Sequence, residues 1–289
     1  MAQVVNNIAI AEFFDKMVDE GYLANSKTAN LFSNGKLDIL DNGYGKIHVR
    51  KVNTQGIGTY EKNDAASGYA NSATTITYEE IEPDFDLSSA IMVDHFENED
   101  ALKDNLIIAY ADLQDKLVKE LDAMRIASIV KQANSERVIS ETITDGADAV
   151  AKIRKALNIM DNKRVYNDKI LLATPEILGA IDDMDTYKST AIKSRFVNTV
   201  MMEEDIFQTG IDIGTGRSND WNYTKAEGAK QINFMIVSKS AVDSITRTRS
   251  KYLDSLENYD SAAMKFRVRG LSAYVFDNKK DGIYVSTAV

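Results

Sequence analysis

One uninterrupted segment decides the fold: ENEDALKDNLIIAYADLQDKLVKELDAMRIASIVKQA, Glu97–Ala133. It contains neither Pro nor Gly, and apolar residues recur along it at steps of three and four. The apolar stripe consists of Leu102, Leu106, Tyr110, Leu113, Leu117, Leu121 and Met124. This period predicts an amphipathic helix, roughly 50–55 Å long at 1.5 Å per residue. A compact domain does not need so long a helix, so we interpret it as a spine to which other elements attach. The alternative is a coiled-coil arm, which requires a stricter heptad repeat.

Charged residues of opposite sign are spaced along this helix for side-chain pairing. The pairs are Asp112–Lys116, Asp115–Lys119 and Asp122–Arg125, three or four residues apart. Residues at that spacing are neighbours on a helix surface. We therefore expect all three pairs on the solvent-exposed face.

Composition excludes several classes of protein. The 289 residues include no cysteine, so disulfides, a thiol nucleophile and a zinc–thiolate site are all ruled out. No run of about 18 apolar residues occurs, and the N-terminus lacks a basic region followed by an apolar one, which predicts a soluble, non-secreted, non-membrane protein. The net charge is −10, and the segment Glu79–Asp104 carries most of it, with ten acidic residues against Lys103. The balanced remainder disfavours a protein that wraps nucleic acid with a basic surface.

Two extended segments before the long helix predict a β-hairpin. Residues 46–52 and 74–93 are joined by a tip rich in Gly, Asn, Ala and Ser. The return strand alternates apolar residues with Glu80, Glu82, Asp84 and Asp86. These acids are therefore expected on one face and the apolar side chains on the other. A two-stranded ribbon is marginally stable by itself, so another element should cover the apolar face.

The rest of the chain predicts an arm, an α/β unit and closing strands. Residues 1–35 carry a weak helical stripe and form either a frayed terminus or an arm that docks on a neighbour. Residues 138–242 contain apolar strands at 170–173 and 232–237 and amphipathic helices at 146–161 and from Pro175 onward. Residues 243–289 return to strands, the last two around a turn at 277–282. Four arginines give these strands basic faces: Arg247, Arg249, Arg267 and Arg269.

The residues that an enzyme needs are missing. His48 and His95 are the only histidines, and neither has a nucleophile nearby in sequence. No G-x-S-x-G elbow, Walker phosphate loop or H-E-x-x-H helix occurs, and Gly210–Gly216 lacks the lysine of a phosphate loop. The alternating acids of the hairpin lack the loop of a calcium site. We therefore expect no catalytic, metal or cofactor site; a hydrolase or nucleotide enzyme would need a constellation that the sequence does not show.

The order of elements resembles that of tailed-bacteriophage major capsid proteins, whose Hong Kong 97-like fold encapsulins also use. Three parts of the chain carry this resemblance. The first is VRKVNTQGIGTYEKND (Val49–Asp64) with TTITYEEIEPDFDLSSAIMVD (Thr74–Asp94), which is similar to the family's E-loop. The second is LVKELDAMRIASIV (Leu117–Val130), similar to the second half of its spine helix. The third is GAKQINFMIVSKSAV (Gly228–Val242) with KFRVRGLSAYVFDNKKDGIYVST (Lys265–Thr287), similar to the end of the axial domain and the closing strands.

The resemblance implies an α+β fold in five parts. These are an N-terminal arm at 1–35, the E-loop hairpin and peripheral-domain strands at 36–93, the peripheral-domain spine helix at 94–137, the α/β axial domain at 138–242, and closing peripheral-domain strands at 243–289.

The resemblance also implies a structural function, that of a major capsid protein. Copies would assemble into hexamers and pentamers of an icosahedral shell around double-stranded DNA, in a virion assembled in the bacterial cytoplasm. The implied partners are other copies, a separate scaffolding protein, a portal protein, decoration proteins, and DNA in non-specific proximity. The alternative is an encapsulin-type cellular nanocompartment; the long helix disfavours a tail-tube or baseplate protein.

Ten residues are expected to make assembly contacts. They are Tyr60, Lys62, Glu80, Glu82, Asp84, Asp86, Arg247, Arg249, Arg267 and Arg269. Our hypothesis is that the acids of one copy meet the arginines of a neighbour; the alternative is two solvated faces. Some family members crosslink a loop lysine to an Asn, and Lys62 matches the donor, but SAAMKFRVRG at Ser261–Gly270 contains no Asn. We therefore expect no autocatalytic crosslink.

Overall fold

The computed structural model describes residues 26–32, 37–39, 46–54, 74–94, 102–166, 168–184, 186–213, 223–253 and 261–289. The chain divides into two compact units, Gly35–Pro83 and the combination of Met1–Asn34 with Asp84–Val289. The helical stripe at 8–18, the hairpin tip at 55–73 and the glycine-rich loop at 214–220 lie outside the described residues. Among the helices in the described ranges, none has the length and apolarity to cross a membrane.

The helices of the described ranges are α1 (Ala29–Phe32), α2 (Leu102–Gln132), α3 (Gly146–Asn162), α4 (Pro175–Asp182) and α5 (Thr186–Lys193). The strands are β1 (Leu37–Ile39), β2 (Ile47–Thr54), β3 (Thr74–Ile81), β4 (Phe85–Asp94), β5 (Val138–Ser140), β6 (Lys169–Ala173), β7 (Asn198–Met201), β8 (Ile211–Ile213), β9 (Tyr223–Lys225), β10 (Ile232–Ser238), β11 (Val242–Leu253), β12 (Ser261–Val275) and β13 (Ile283–Thr287).

The predicted spine helix is confirmed as α2, whose 31 residues span about 46 Å. Its second half is buried among its own unit, through Leu117, Leu121, Ile126 and Ile129. The helix packs against β12 and β4 and contributes to a core shared with β6, β10 and β13. This burial within one chain explains why the helix is a spine and not a coiled-coil arm.

A five-stranded sheet with the order β5-β13-β10-β6-β7 forms the α/β part. Side chains of β6 alternate between two cores, since Ile170 and Leu172 lie in the core with the spine helix while Leu171 lies in the core with α3 and α4. Strand β10 alternates likewise, with Met235 on the spine side and Phe234 on the other. Both faces are therefore covered, which is why these strands are apolar at nearly every position.

Strand β13 corrects the expectation for the end of the chain. Residues 277–282 form a 3₁₀ segment, after which β13 pairs with β10 and β5 in the α/β sheet. The sequence predicted two strands around this turn, and both occur, but it counted the second among the closing peripheral-domain strands. Instead Ile283 and Tyr284 enter the two different cores of the α/β sheet, so an apolar strand with two buried faces joins the layer that has helices on both sides.

A three-stranded antiparallel sheet, β11-β12-β4, packs on the spine helix. It corrects the predicted return strand at 74–93, which is divided into β3 and β4 in two different sheets. The division falls at Pro83, which has no N–H to donate to a ladder. Just after it, the Asp84 N–H donates to the Gly270 carbonyl at 3.1 Å, and this starts the pairing of β4 with β12.

The other unit is a three-stranded antiparallel sheet with the order β1-β2-β3. Its β2–β3 pair confirms the predicted hairpin, in register from Ile47 opposite Ile81 to Thr54 opposite Thr74. Strand β1, which the sequence did not predict, pairs with the first half of β2. The predicted two-stranded ribbon therefore has a third strand at its base.

Candidate assembly surface

Strands β11 and β12 place basic residues directly opposite one another. Arg247 lies opposite Arg269, Arg249 opposite Arg267, and Lys251 opposite Lys265. Residues opposite in an antiparallel pair share a face of the sheet, and like charges there are destabilising by about 0.2–1 kcal/mol per pair. We call these six positions the basic ladder. The structure describes the side chains of Arg247, Lys265, Arg267 and Arg269, of which the first three are exposed.

The basic ladder lies on the solvent side of its sheet. Val268 and Phe85, on alternate positions of β12 and β4, are at most 5% exposed and face the core. Arg267 and Arg269 alternate with Val268 on β12 and therefore point away from the spine helix. A regular apolar–basic alternation of this kind fixes the direction of the charged face.

Among the residues that the structure describes, Asp86 on β4 is the carboxylate that pairs with the ladder. Arg267 binds it in a two-pronged arrangement, with Nε donating to Oδ1 at 2.5 Å and Nη2 donating to Oδ2. The Arg269 Nε lies 3.7 Å from Asp86 Oδ2. The Arg267 hydrogen bond lowers the pKa of Asp86 against the opposing effect of burial, and the same bond raises the pKa of Arg267. Asp86 thus anchors two rungs of the ladder within one chain.

The other predicted acids do not form a single face with Asp86. Glu80, on β3, accepts a hydrogen bond from Lys46 at 2.6 Å, which lowers the pKa of Glu80 and raises that of Lys46. Glu82 is exposed just after β3. Asp84 accepts hydrogen bonds from the N–H of Ser272, at 2.8 Å, and from its hydroxyl. Tyr60 and Lys62 lie outside the described residues. The expectation of four acids along one strand face is wrong, because the strand is divided at Pro83.

Two large apolar side chains are exposed on β3, the strand that also carries Glu80. Ile76 is 54% exposed and Tyr78 is 59% exposed. They stand two positions apart, so they share one face of the strand. That face continues to Glu80, which gives the hairpin an apolar surface with a charged end.

An anchor for the N-terminal segment was missed at the sequence level. Asp122 and Arg125, expected in solvent, are both 2% exposed and 3.3 Å apart. Asp122 Oδ1 accepts the Ser26 hydroxyl at 2.6 Å and the Thr28 hydroxyl at 2.5 Å. In contrast, the expected Asp112–Lys116 pair is exposed at 2.9 Å. The sequence contained one indication of this burial. Asp122 and Arg125 directly follow the apolar stripe residues Leu121 and Met124, so they lie at the edge of the buried face of the helix.

The described residues contain no group of three or more His, Asp or Glu side chains placed to hold a metal ion. His48 is buried, and its Nε2 has no hydrogen-bond partner among the described residues. His95 lies outside them.

Comparison with known proteins identifies the class of fold. No protein-family profile and no curated protein sequence matches the chain. The head of Helicobacter pylori bacteriophage KHP40 aligns with a TM-score of 0.57 and 13% identity, over 91% of this chain and 90% of that chain. The mature capsid of bacteriophage PhiM1 aligns with a TM-score of 0.55 and 12% identity, over 87% and 84%. A virus-like particle from Pyrococcus furiosus aligns with a TM-score of 0.57 and 11% identity, over 96% and 99%.

These structures are all protein shells, and the chain has their fold. It is the α+β, Hong Kong 97-like capsid fold predicted from the sequence, and the similarity confirms that prediction.

Proposed function

We propose that this chain is the major capsid protein of a tailed bacteriophage and that it assembles into hexamers and pentamers of an icosahedral shell around double-stranded DNA. The observation that carries the proposal is the extent of the structural similarity. The similarity extends over nearly the full length of both this chain and the phage head protein, so it is not limited to a single shared motif. Spine helix, hairpin and α/β sheet therefore occur together as they do in a shell subunit.

Exposed surfaces of the chain support self-association. Ile76 and Tyr78 leave an apolar surface on β3 that water solvates poorly. Contiguous exposed apolar surface with a polar rim is typical of protein–protein interaction sites. In the proposed shell, a neighbouring copy covers this surface, and the tip with Tyr60 and Lys62 extends over the same neighbour.

The basic ladder is proposed as the receiving surface on that neighbour. Among the described residues, Asp86 is the carboxylate that forms ion pairs with it. The buried Nε of Arg269 has no hydrogen-bond partner within the described ranges. Glu80 and Glu82 of another copy are exposed and negatively charged, so they can supply carboxylates to the arginines of the ladder. The contact accordingly uses Glu80 and Glu82 on one side and Arg247, Arg249, Arg267 and Arg269 on the other.

We further propose that the protein is located in the virion and assembles in the host cytoplasm. Its proposed partners are a separate scaffolding protein, the portal protein and decoration proteins, while DNA is held by proximity. A net charge of −10 suits a DNA container, since weak attraction lets packed DNA slide.

An encapsulin-type compartment is the second candidate. The similarity to the Pyrococcus furiosus particle favours it, because that match covers nearly all of both chains. The two functions differ in what the shell holds: a genome in one case and a protein cargo in the other.

The test is to express the chain, separate particles by sedimentation, and image them by negative-stain electron microscopy. Closed shells are expected, alone or with the products of neighbouring genes. Nuclease-protected double-stranded DNA in particles from infected cells supports the phage capsid, whereas an enclosed protein and no genome supports the compartment. A chain that stays monomeric at high concentration, including with its neighbouring gene products, would contradict both.

A further inference from the structure

A polar cavity lies where three connections of the α/β part meet. Its volume is about 420 Å³. The segment between α3 and β6 contributes Lys163 and Arg164, the segment after β10 contributes Ser238 and Ser240, and the 3₁₀ segment before β13 contributes Lys279. The proposed shell function assigns no role to this cavity.

The backbone conformation of Arg164 indicates a role for its side chain. Helix α3 ends in a Schellman motif, in which the Val165 N–H donates to the Met160 carbonyl at 3.1 Å and the Arg164 N–H to the Asp161 carbonyl at 2.9 Å. Arg164 occupies the left-handed position of this motif, with φ of 62°. Glycine is the usual residue there, and any other residue costs roughly 1–2 kcal/mol. An arginine kept at that cost points to a function for its guanidinium.

The charges around the cavity favour an anion. Lys163 and Arg164 are exposed, and neither forms an ion pair with any residue that the structure describes. Two acids also line the cavity, Asp168 and Asp281, but Arg137 binds Asp281 at 3.2 Å and offsets its charge. Three cations and two acids therefore line the cavity, and the Arg137 pair leaves the positive charges in excess, in a chain that is acidic overall.

The inner wall of the cavity is held by close packing. The hydroxyls of Ser238 and Ser240 lie 3.2 Å apart, and the Lys279 ammonium donates to the Ser240 carbonyl at 3.2 Å. A methyl group added at Gly282 would lie 3.1 Å from the Ala241 Cβ and 3.2 Å from the Ser238 Cβ. The glycine is thus what lets these segments approach, and the hydroxyls are fixed at the cavity wall.

We infer that this cavity binds a ligand through an oxyanion, a phosphate or a carboxylate group. The Arg164 guanidinium supplies the planar fork that matches such a group, and Lys163 and Lys279 supply point charges. One of the two serine hydroxyls donates to the ligand, while the other donates within the Ser238–Ser240 pair. Binding here is separate from shell assembly and does not depend on the proposed function.

The test measures binding of pyrophosphate and of citrate to the full chain by isothermal titration calorimetry, with all variants in the same assembly state. The wild type is expected to bind at least one of them, and the preferred anion distinguishes a phosphate from a carboxylate source. Arg164→Gly is expected to weaken binding about tenfold or more, since a charge-assisted hydrogen bond is lost. The same variant should raise the denaturation midpoint, because glycine relieves the left-handed strain. Loss of affinity with gain of stability separates a ligand role from damage to the fold.

Two matched controls sharpen the result. Arg154→Gln removes an exposed arginine of α3, outside the cavity lining, and should leave affinity unchanged. Lys279→Met should weaken binding, whereas Lys280→Met, which breaks the neighbouring pair with Asp277 at 3.0 Å, should not. If neither anion binds the wild type at millimolar concentration, or if Arg164→Gly binds as the wild type does, the inference is wrong.

Discussion

The hydroxyl of Thr28 bridges Asp122 and Arg125, two charged residues 94 and 97 positions further along the chain. It donates to Asp122 Oδ1 at 2.5 Å and accepts from Arg125 Nη1 at 2.6 Å. Arg125 Nε also donates to the Ser272 carbonyl on β12 at 3.2 Å. One buried polar cluster therefore joins the N-terminal segment, the spine helix and the β11-β12-β4 sheet. Residues 26–32 are part of the core, as the fully buried ring of Phe32 shows.

Asp122→Asn should destabilise the protein strongly. The change removes the carboxylate charge that pairs with the buried Arg125 guanidinium, and breaking a buried pair from one side typically costs about 3–5 kcal/mol. The free energy of unfolding in urea measures the loss. Asp112→Asn is the matched control, because its pair with Lys116 is exposed and contributes no more than about 0.5 kcal/mol. Equal effects of the two changes would show that the buried cluster contributes no more to the free energy of unfolding than the exposed pair does.

Gly270→Ala should also destabilise, for a steric reason. A Cβ at this position would lie 2.1 Å from the Ile245 carbonyl oxygen and 2.9 Å from the Phe85 ring. Strands β11 and β4 would have to shift, at a cost of about 1–3 kcal/mol or more. Thermal denaturation followed by circular dichroism measures the change. Gly179→Ala is the opposite case, because nothing lies within 4 Å of its Cβ and it stands inside α4. That variant should gain about 0.5–1 kcal/mol, and a loss there would contradict the packing.

Glu120→Gln should stabilise the protein at neutral pH. Glu120 is 3% exposed, its Oε2 has no hydrogen-bond partner in the described ranges, and burial raises its pKa. A carboxyl with a raised pKa in the folded state stabilises below its unfolded pKa of 4.5, and that stability is lost as pH rises through the folded value. The uncharged amide removes this loss.

The measurement is the urea midpoint of Glu120→Gln and wild type from pH 4.5 to pH 8, a range set by the upward pKa shift. The gain should grow as pH rises above 4.5. The exposed residue Glu136 provides the control, and Glu136→Gln should give no such pH dependence. If the difference between Glu120→Gln and wild type stays constant across this range, the pKa of Glu120 is the same in the folded and unfolded states, and the prediction is wrong.

Neutralising the basic ladder should slow assembly without unfolding the subunit. The double change Arg247→Gln and Arg269→Gln keeps the Asp86–Arg267 pair and removes two cations from the proposed contact. Light scattering is expected to show slower assembly at low salt, with the difference shrinking as salt screens the charges. Lys155→Gln together with Lys188→Gln removes as much charge from exposed positions elsewhere and should have little effect. If the variant and the wild type assemble identically at every salt concentration, the basic ladder is a solvated surface and not an assembly contact.

Local pattern was sufficient to predict most of the elements. Helices α2 and α3 follow from apolar residues at helical spacing, and α4 follows from Pro175 at its first turn. Strands β6 and β10 follow from short apolar runs, and the β2–β3 hairpin follows from two extended segments around a polar tip. Each of these signals lies within a window of a few residues, so no knowledge of distant contacts was required. The motifs that resemble phage capsid proteins added the class of fold, and the structural similarity confirms that class.

Only the tertiary structure shows which elements pair or pack with one another. An alternating strand pattern does not name its neighbour, so the division at Pro83 and the transfer of β13 into the α/β sheet depend on pairing between residues far apart in sequence. Asp122 and Arg125 have the spacing of a surface pair, and only the docking of Ser26 and Thr28 buries them. The cavity at Arg164 likewise combines three segments separated by up to 120 residues. The sequence by itself determined what each segment becomes, because that depends on near neighbours; the structure decided what each segment meets, because that depends on long-range packing.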